Sequence, residues 1–539
     1  MLGRFLAFFF LYFMSFLLRA GGFYSKAKCF SAGICEPDSE YIHKEQRTRT
    51  RKRQRRFFIM KRFMDEDFLL ENETAQRLFH EHAEKMPILD FHSHIHPREI
   101  AENRSYRNLA EAWLADDHYK WRLMRADGVE ERFITGGRTP GRDRFQKFAE
   151  MMPKAIGNPM YDWVHLELAR YFHSHVPLSG KTADEVWDLA NIALSQPEMR
   201  AQAILERSNV KVLCTVDDPT DDLKWHKAIK TSGCKTQVLP TFRADGALTI
   251  EDPDWENYMK YDLGQAADVD IVTMADVREA LHRRLDYFAA QGCRIVDCGV
   301  ECVRYHEVEE FELDDIVGKY INGKGTPTKL DQERYRGALM LFLGKECSER
   351  GWILTIHYGA LRNVNTKRRT QLGTAAGFDS ISARDSAKGI TLLLDALDRL
   401  ESLPKVILYP ANPADNAVIA SIVGAFPGDG TRGRVQQGAA WWFNNTRKGI
   451  EEQIATLASL GLLGNTIGTV TDSRSPFSFP RHEYYRRILC NYIGRLVENG
   501  AYPDDDEMLA QIVDDISYNN AARFLGFEDL VVEEGKKNS

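Results

Sequence analysis

Eight short apolar runs, most of them rich in β-branched residues, constrain this chain more than any other feature. They fall at residues 87–92, 210–215, 236–241, 294–296, 352–356, 405–409, 434–440 and 466–471. Most are followed by apolar residues at helical spacing. Strands that alternate with helices build a parallel sheet, and eight such units are what a closed barrel requires. The sequence therefore predicts an α/β fold, a TIM-like (β/α)8 barrel. Upstream, Phe68, Leu69, Ala75, Leu78, Phe79 and Ala83 recur near a period of 3.6 and predict a helix leading into the first strand. Residues 98–205 carry no good strand pattern. Leu109, Ala112, Trp113 and Leu114, then Trp163, Leu166, Leu168 and Tyr171, predict an all-helical insertion after strand one.

Almost every run ends in polar, charged or aromatic residues, and in a barrel those ends meet at one face. The first ends in His92-Ser93-His94. Residues i and i+2 of an extended chain share a side, so both imidazoles aim at one point. Asp472 ends the eighth run, and strand eight neighbours strand one in a closed barrel. Two imidazoles and a carboxylate form a three-ligand divalent-metal site with positions left open; the bland alternative is a pair of capped strand ends. His96 continues the alternation but lies past the strand end and is expected in the loop.

Other strand ends each carry two readings. Arg474 and Arg243 either hold a substrate carboxylate or enediolate oxygen, or form an ion pair that orients a neighbouring acid. His357 is a ligand, a proton shuttle, a hydrogen-bond donor or a satisfied core histidine. Asp297 orients an adjacent group or binds substrate hydroxyls, and Trp441 and Trp442 face a sugar or simply pack. In the insertion, Asp117-His118-Tyr119-Lys120-Trp121-Arg122 either exchanges protons through the phenol or forms a helix surface.

Composition removes some classes of function. The net charge of −7 divides into +8 over residues 1–59 and −15 over the rest, and so acidic a body argues against a nucleic-acid partner. Nine scattered cysteines without a C-x-x-C pair fit reduced thiols in a cytoplasmic protein. Residues 1–59 hold a short Phe-rich apolar run and a basic tract. They are expected to lie outside the fold, as sequence ahead of a start at Met60 or Met64 or as a signal or anchor. The folded body is then residues 60–539, with no membrane partner expected for it.

Several stretches together resemble the uronate (glucuronate) isomerase family of the amidohydrolase superfamily. They are Phe63-Met64-Asp65-Glu66-Asp67-Phe68-Leu69-Leu70, Asp90-Phe91-His92-Ser93-His94, Asp117-His118-Tyr119-Lys120-Trp121-Arg122 and Ile156-Gly157-Asn158-Pro159. The rest are Thr215-Val216-Asp217-Asp218-Pro219, His357-Tyr358-Gly359-Ala360-Leu361-Arg362-Asn363, Trp441-Trp442-Phe443-Asn444 and Thr471-Asp472-Ser473-Arg474-Ser475. The resemblance runs from about residue 60 to 524 and implies a barrel with a helical subdomain.

It also implies reversible aldose–ketose isomerisation of D-glucuronate to D-fructuronate and of D-galacturonate to D-tagaturonate. It carries His92, His94 and Asp472 over as a metal site, with Zn²⁺ the expected ion and no nucleotide or redox cofactor. Tyr119, Arg243, Asp297, His357, Trp441 and Arg474 become the substrate and proton-transfer shell. Asp472 and Tyr119 are expected to move the proton, Arg474 to lower the phenol's pKa, and Arg243 and Arg474 to clamp the substrate. A homo-oligomer is expected. Three residues depart from the family pattern, Tyr358 for Ile, Cys298 for His and Asn445 for Asp, and of these Cys298 and Asn445 bear on substrate preference. The competing readings are a metal-dependent hydrolase on the same barrel, a non-catalytic sugar-acid-binding protein, and a scaffold tethered through residues 1–59.

Overall fold

Seven of the eight apolar runs form strands of one sheet in the computed structural model, which describes residues 61–428 and 430–532. The strands are β1 (Ile88–Asp90), β2 (Val210–Asp217), β3 (Gln237–Arg243), β4 (Ile295–Val300), β5 (Ile353–Tyr358), β6 (Lys405–Pro410) and β7 (Val435–Gln437). They follow one another in chain order, and every neighbouring pair is parallel. All six residues of β5 are buried, as expected of a strand covered on both faces.

The eighth run, 466–471, is not a regular strand, and its own residues explain why. Gly468 has φ +74°, and a Cβ there would stand 2.4 Å from the Ile516 carbonyl oxygen. A backbone in that region leaves the ladder. At the other end, the Asp90 carboxylate takes the Thr471 amide (2.9 Å) and hydroxyl (2.5 Å), replacing a strand partner. The segment still closes the ring. Asp472 N donates to His92 O (3.3 Å) and His94 N to Ser473 O (2.9 Å), while Gln436 of β7 donates to Asn465 O (3.1 Å). The two edges of the curled sheet therefore meet across this segment as a barrel.

Between β1 and β2 the described chain is helical, including His118–Ala126 and Pro159–Phe172. These helices close around Trp113, Phe145, Phe148, Trp163 and Phe172, all buried. The expected leading helix starts later than its apolar pattern. Asn72 caps it at Glu73, and Leu69 sits at φ +65° in the preceding turn. No helix among the described residues is long and apolar enough to cross a membrane. Residues 1–59, and every expectation attached to them, lie outside the described residues.

Candidate active site

The chain after β1 runs beside the chain after residue 470, and this parallel pair builds the centre of the site. Ser473 O accepts from both His94 N and Ser93 Oγ (3.3 Å). The pairing brings His92 Nε2 to 3.4 Å and His94 Nε2 to 3.3 Å from Asp472 Oδ1. The two rings stand nearly perpendicular, with centroids 5.2 Å apart. Asp472 has φ +47°, a left-handed backbone that Asp tolerates better than most residues. Burial pushes the Asp472 carboxyl up, but the hydrogen bonds and charge of the two histidines hold it well below the ordinary range. Burial lowers His94 to about 4, against the pull of Asp472, so its lone pair is open.

Donor chemistry and geometry together fit a divalent cation. The ligand atoms of His92, His94 and Asp472 all lie within 4.8 Å of one another. Two imidazole nitrogens and one carboxylate oxygen are a common donor set for Zn²⁺ and similar ions. His92 lies between two carboxylates, with Nδ1 3.5 Å from Asp297 Oδ2. Burial opposes charge on its ring, yet Asp472 and Asp297 overcome this and raise its pKa, so the site attracts positive charge. A second cluster of His92, Asp297 and His357 also has the spacing of a metal site. His92 serves only one of the two, and Nε2 points at Asp472 while Asp297 takes the other side of the ring. Asp297 thus stands behind the His92 ring, on the side away from Asp472, where an acid can orient an imidazole.

Asp297 closes on fixed partners. It has no exposed surface. His357 Nδ1 donates to its Oδ1 (2.7 Å), as does Thr355 Oγ1 (2.8 Å), and Arg243 Nη1 pairs with Oδ2. Burial pushes this carboxyl up, and Arg243 and His357 hold it well below its usual range. Both oxygens are engaged and neither faces open space, which supports the reading in which Asp297 orients its neighbours over contact with substrate hydroxyls. Arg243 is similarly engaged, its Nε lying 2.9 Å from Asp245 Oδ2. Its Nη2 lies against Gly299, where a Cβ would approach within 2.3 Å.

His357 lies between these groups and open space. Its ring stacks on Tyr409 (4.2 Å, 3°) and meets Trp441 edge-on (4.7 Å). Burial lowers its pKa to about 4, and Nε2 has no hydrogen-bond partner among the described residues. That neutral ring lines a cavity of about 300 Å³ with Trp441, Arg362, Arg336 and Arg384.

Tyr119 reaches the centre from the helical insertion. Asp117 caps the helix His118–Ala126, accepting from Tyr119 N (2.9 Å) and Lys120 N (3.2 Å). The phenol then donates to Asp472 Oδ2 at 2.9 Å. Burial and the Asp472 charge raise its pKa well above the ordinary value, against the opposing Arg481. The expectation that Arg474 lowers this pKa is therefore corrected. Arg474 instead faces Asp116 (Nε to Oδ2, 3.5 Å) and lines a small cavity with His94. His96 is the loop residue expected, accepting from Arg98 N (3.1 Å) at the start of a short helix.

Three side chains at the site escape motif-by-motif reading. His118 stacks on Tyr119 (4.7 Å) and faces Trp442 edge-on. Arg362 lies over Trp442 (4.6 Å), and among the described residues it makes no side-chain hydrogen bond or ion pair. Arg481 lies over Trp163 (4.1 Å) and Tyr119 (5.6 Å). The first two stand inside stretches singled out above; Arg481 stands inside a helix and carries no local signal. Of the three departures, Cys298 is in the outer apolar core and Tyr358 hydrogen-bonds Asp415. Asn445 alone faces the site, in a cavity shared with His118 and Tyr119.

A family model described as glucuronate isomerase matches residues 60–525. A uronate isomerase of Lachnospira eligens is 46% identical over 470 residues, 87% of this chain and all of that protein. One of Photorhabdus laumondii is 46% identical over 468 residues, covering 86% of this chain and 98% of its own. Among solved structures, a uronate isomerase of Thermotoga maritima superposes with a TM-score of 0.81 at 33% identity, over 86% of this chain and all of its own. A glucuronate isomerase of Caulobacter crescentus, 22% identical, shares the fold with a TM-score of 0.79, over 87% of this chain and 98% of its own.

Proposed function

The chain belongs to the glucuronate isomerase family and is an isomerase of uronates, and from that premise we propose how its residues divide the reaction. The substrate is an open-chain hexuronate, D-glucuronate or D-galacturonate, and the product is the corresponding ketose, D-fructuronate or D-tagaturonate. The observation that carries the reading is the Tyr119–Asp472 hydrogen bond beside two convergent histidines. It supplies an ionised carboxylate and a protonated phenol 2.9 Å apart, one to take a carbon proton and the other to give an oxygen proton.

Asp472 removes the proton from C2, and electrons shift towards the C1 carbonyl oxygen, which takes the phenol proton. The resulting cis-enediol returns its O2 proton to Tyr119 and accepts the carried proton at C1. No net proton, electron pair or redox equivalent is consumed. His92, His94 and Asp472 would hold a divalent cation, Zn²⁺ in this proposal, which when bound supplies charge stabilisation to substrate oxygens. Arg362 is a guanidinium that forms no ion pair among the described residues, beside the His357–Trp441 cavity, and it suits the substrate carboxylate. His357 Nε2 accepts a hydrogen bond from a substrate hydroxyl. Arg474 binds the enediolate side, and Trp441 walls the cavity that receives the sugar. The same proposal assigns all chemistry to residues 60–539 and places the enzyme in the cytoplasm as a homo-oligomer. The hydrolase and sensor readings are not favoured, because the relatives matched over nearly the whole body are named as isomerases.

Proton NMR of each uronate incubated with the enzyme in D₂O tests the assignment. Conversion to ketose with solvent deuterium at C1 is the expected result. Conversion without deuterium would remove an exchangeable Asp472 from the carbon-proton step, and no conversion of either sugar by cation-loaded enzyme would overturn the substrate assignment.

A further inference from the structure

Asp472 depends on residues that make no contact with a cation or a sugar. The residue before it, Thr471, is fixed from both sides. Asp90 takes its amide and hydroxyl, and Arg481 Nη1 donates to its carbonyl at 2.8 Å. With both peptide groups of Thr471 held, Asp472 sits in a left-handed conformation that a free chain seldom adopts. The same guanidinium lies 5.6 Å over the ring of Tyr119, with its opposite support on Trp163 at 4.1 Å. One buried cation therefore holds the carbonyl just before one member of the proton-transfer pair and lies over the ring face of the other.

The surroundings hold it in place. Arg481 is 4% exposed. Its electrostatic neighbours are Asp117, which caps the Tyr119 helix, and Glu167, on the helix Pro159–Phe172. Lys120, completely buried and paired with Asp117 at 2.7 Å, completes the cluster. A single hydrogen bond to a carbonyl made while lying against two rings suits a flat guanidinium better than the compact ammonium of Lys. Charge neutralisation alone would not need that shape.

From this geometry we infer that Arg481 is a positioning residue for the isomerisation, fixing Tyr119 against Asp472 through the Thr471 carbonyl and the phenol ring. The inference rests on the proton-transfer reading above. It is distinct from a folding role, because it predicts loss of turnover in a chain that is folded and cation-loaded. A misplacement of about 1 Å in a catalytic group costs on the order of 10²-fold in rate.

The test compares Arg481→Lys and Arg481→Ala with wild-type holoenzyme in the same assay on D-glucuronate, with metal content and thermal midpoint measured for each. For Arg481→Lys we expect kcat lowered by roughly 30-fold or more, KM within about 3-fold and metal content unchanged. For Arg481→Ala, added methylguanidinium restores part of the lost kcat, while a Tyr119→Phe control is not rescued. A Lys variant with wild-type kcat overturns the inference, even if the Ala variant does not fold. So does a folded Ala variant whose rate methylguanidinium leaves unchanged. Wild-type turnover in that assay reports separately on the uronate reading itself.

Discussion

Two buried carboxylates face opposite sides of one histidine ring, and their surroundings differ in kind. Asp297 is wholly enclosed, its oxygens met by His357, Thr355, Arg243 and the far nitrogen of His92. Asp472 is partly open, its side chain 11% exposed, and it faces two imidazoles and a phenol. Both are held well below the ordinary carboxylate range. Ionisation alone therefore does not mark the reactive group. The difference is that Asp297 is satisfied by rigid donors on neighbouring strands, while the partners of Asp472 can exchange a proton or bind a cation. A saturated acid orients its neighbours, and an acid with movable partners does chemistry.

Substitution should separate the two. Asp472→Asn keeps size and removes the base, so with excess Zn²⁺ present turnover should fall about 10³-fold. Its unfolding free energy should stay within about 1 kcal/mol of wild type, because no rigid donor loses its partner. Steady-state kinetics on D-glucuronate together with denaturant unfolding reads both quantities. Near-wild-type turnover in the cation-loaded variant would remove Asp472 from the proton step. Asp297→Asn should show the opposite emphasis. Arg243 loses one of its two carboxylate partners and keeps Asp245, at a cost of about 1–3 kcal/mol in stability. His92 loses its orienting acid, which lowers metal affinity about 10–100-fold. Metal titration and unfolding check this, and a variant as stable as wild type with unchanged metal affinity would contradict the orienting role.

The same contrast explains what the sequence could and could not convey. Strand ends were legible because β-branched runs stop where polar residues begin, and that placed His92, Asp297 and His357 at one face. The His92/His94 pair followed from alternation along an extended chain. The eighth strand was misjudged because its irregularity comes from contacts distant in sequence, Gly468 against Ile516 and Asp90 against Thr471. The choice between orienting and substrate contact for Asp297 depends on four partners from β3, β5 and the β1 end, which no local pattern encodes. Arg474 was expected near the phenol because it follows Asp472 by two residues. The left-handed backbone at Asp472 breaks the alternation that expectation assumed, and Arg474 turns to Asp116. Arg481 reaches Tyr119 only because a helix folds back over the insertion.

A third buried carboxylate, Glu167, extends the comparison to the case where partners do not suffice. Its Oε2 has no hydrogen-bond partner among the described residues, and Lys120 and Arg481 lower its pKa less than burial raises it. The balance leaves it near 7, above the ordinary 4.5. A raised acid binds its proton more tightly in the folded chain than in the unfolded one. Its contribution to stability is therefore complete below pH 4.5, declines as pH rises towards 7 and is gone above that. The gap is worth roughly 3 kcal/mol. Asp217, also raised to about 7 by burial, adds a decline over the same range. Glu167→Gln is neutral at every pH, so against wild type the slope of denaturant-unfolding stability with pH should become more positive, by about 2–3 kcal/mol in all between pH 5 and 7.5. Adding Asp217→Asn should shift that slope further in the same direction. If Glu167→Gln left the full slope in place, Glu167 would be ionised and paired, and the buried cluster beneath Tyr119 would resemble the saturated surroundings of Asp297.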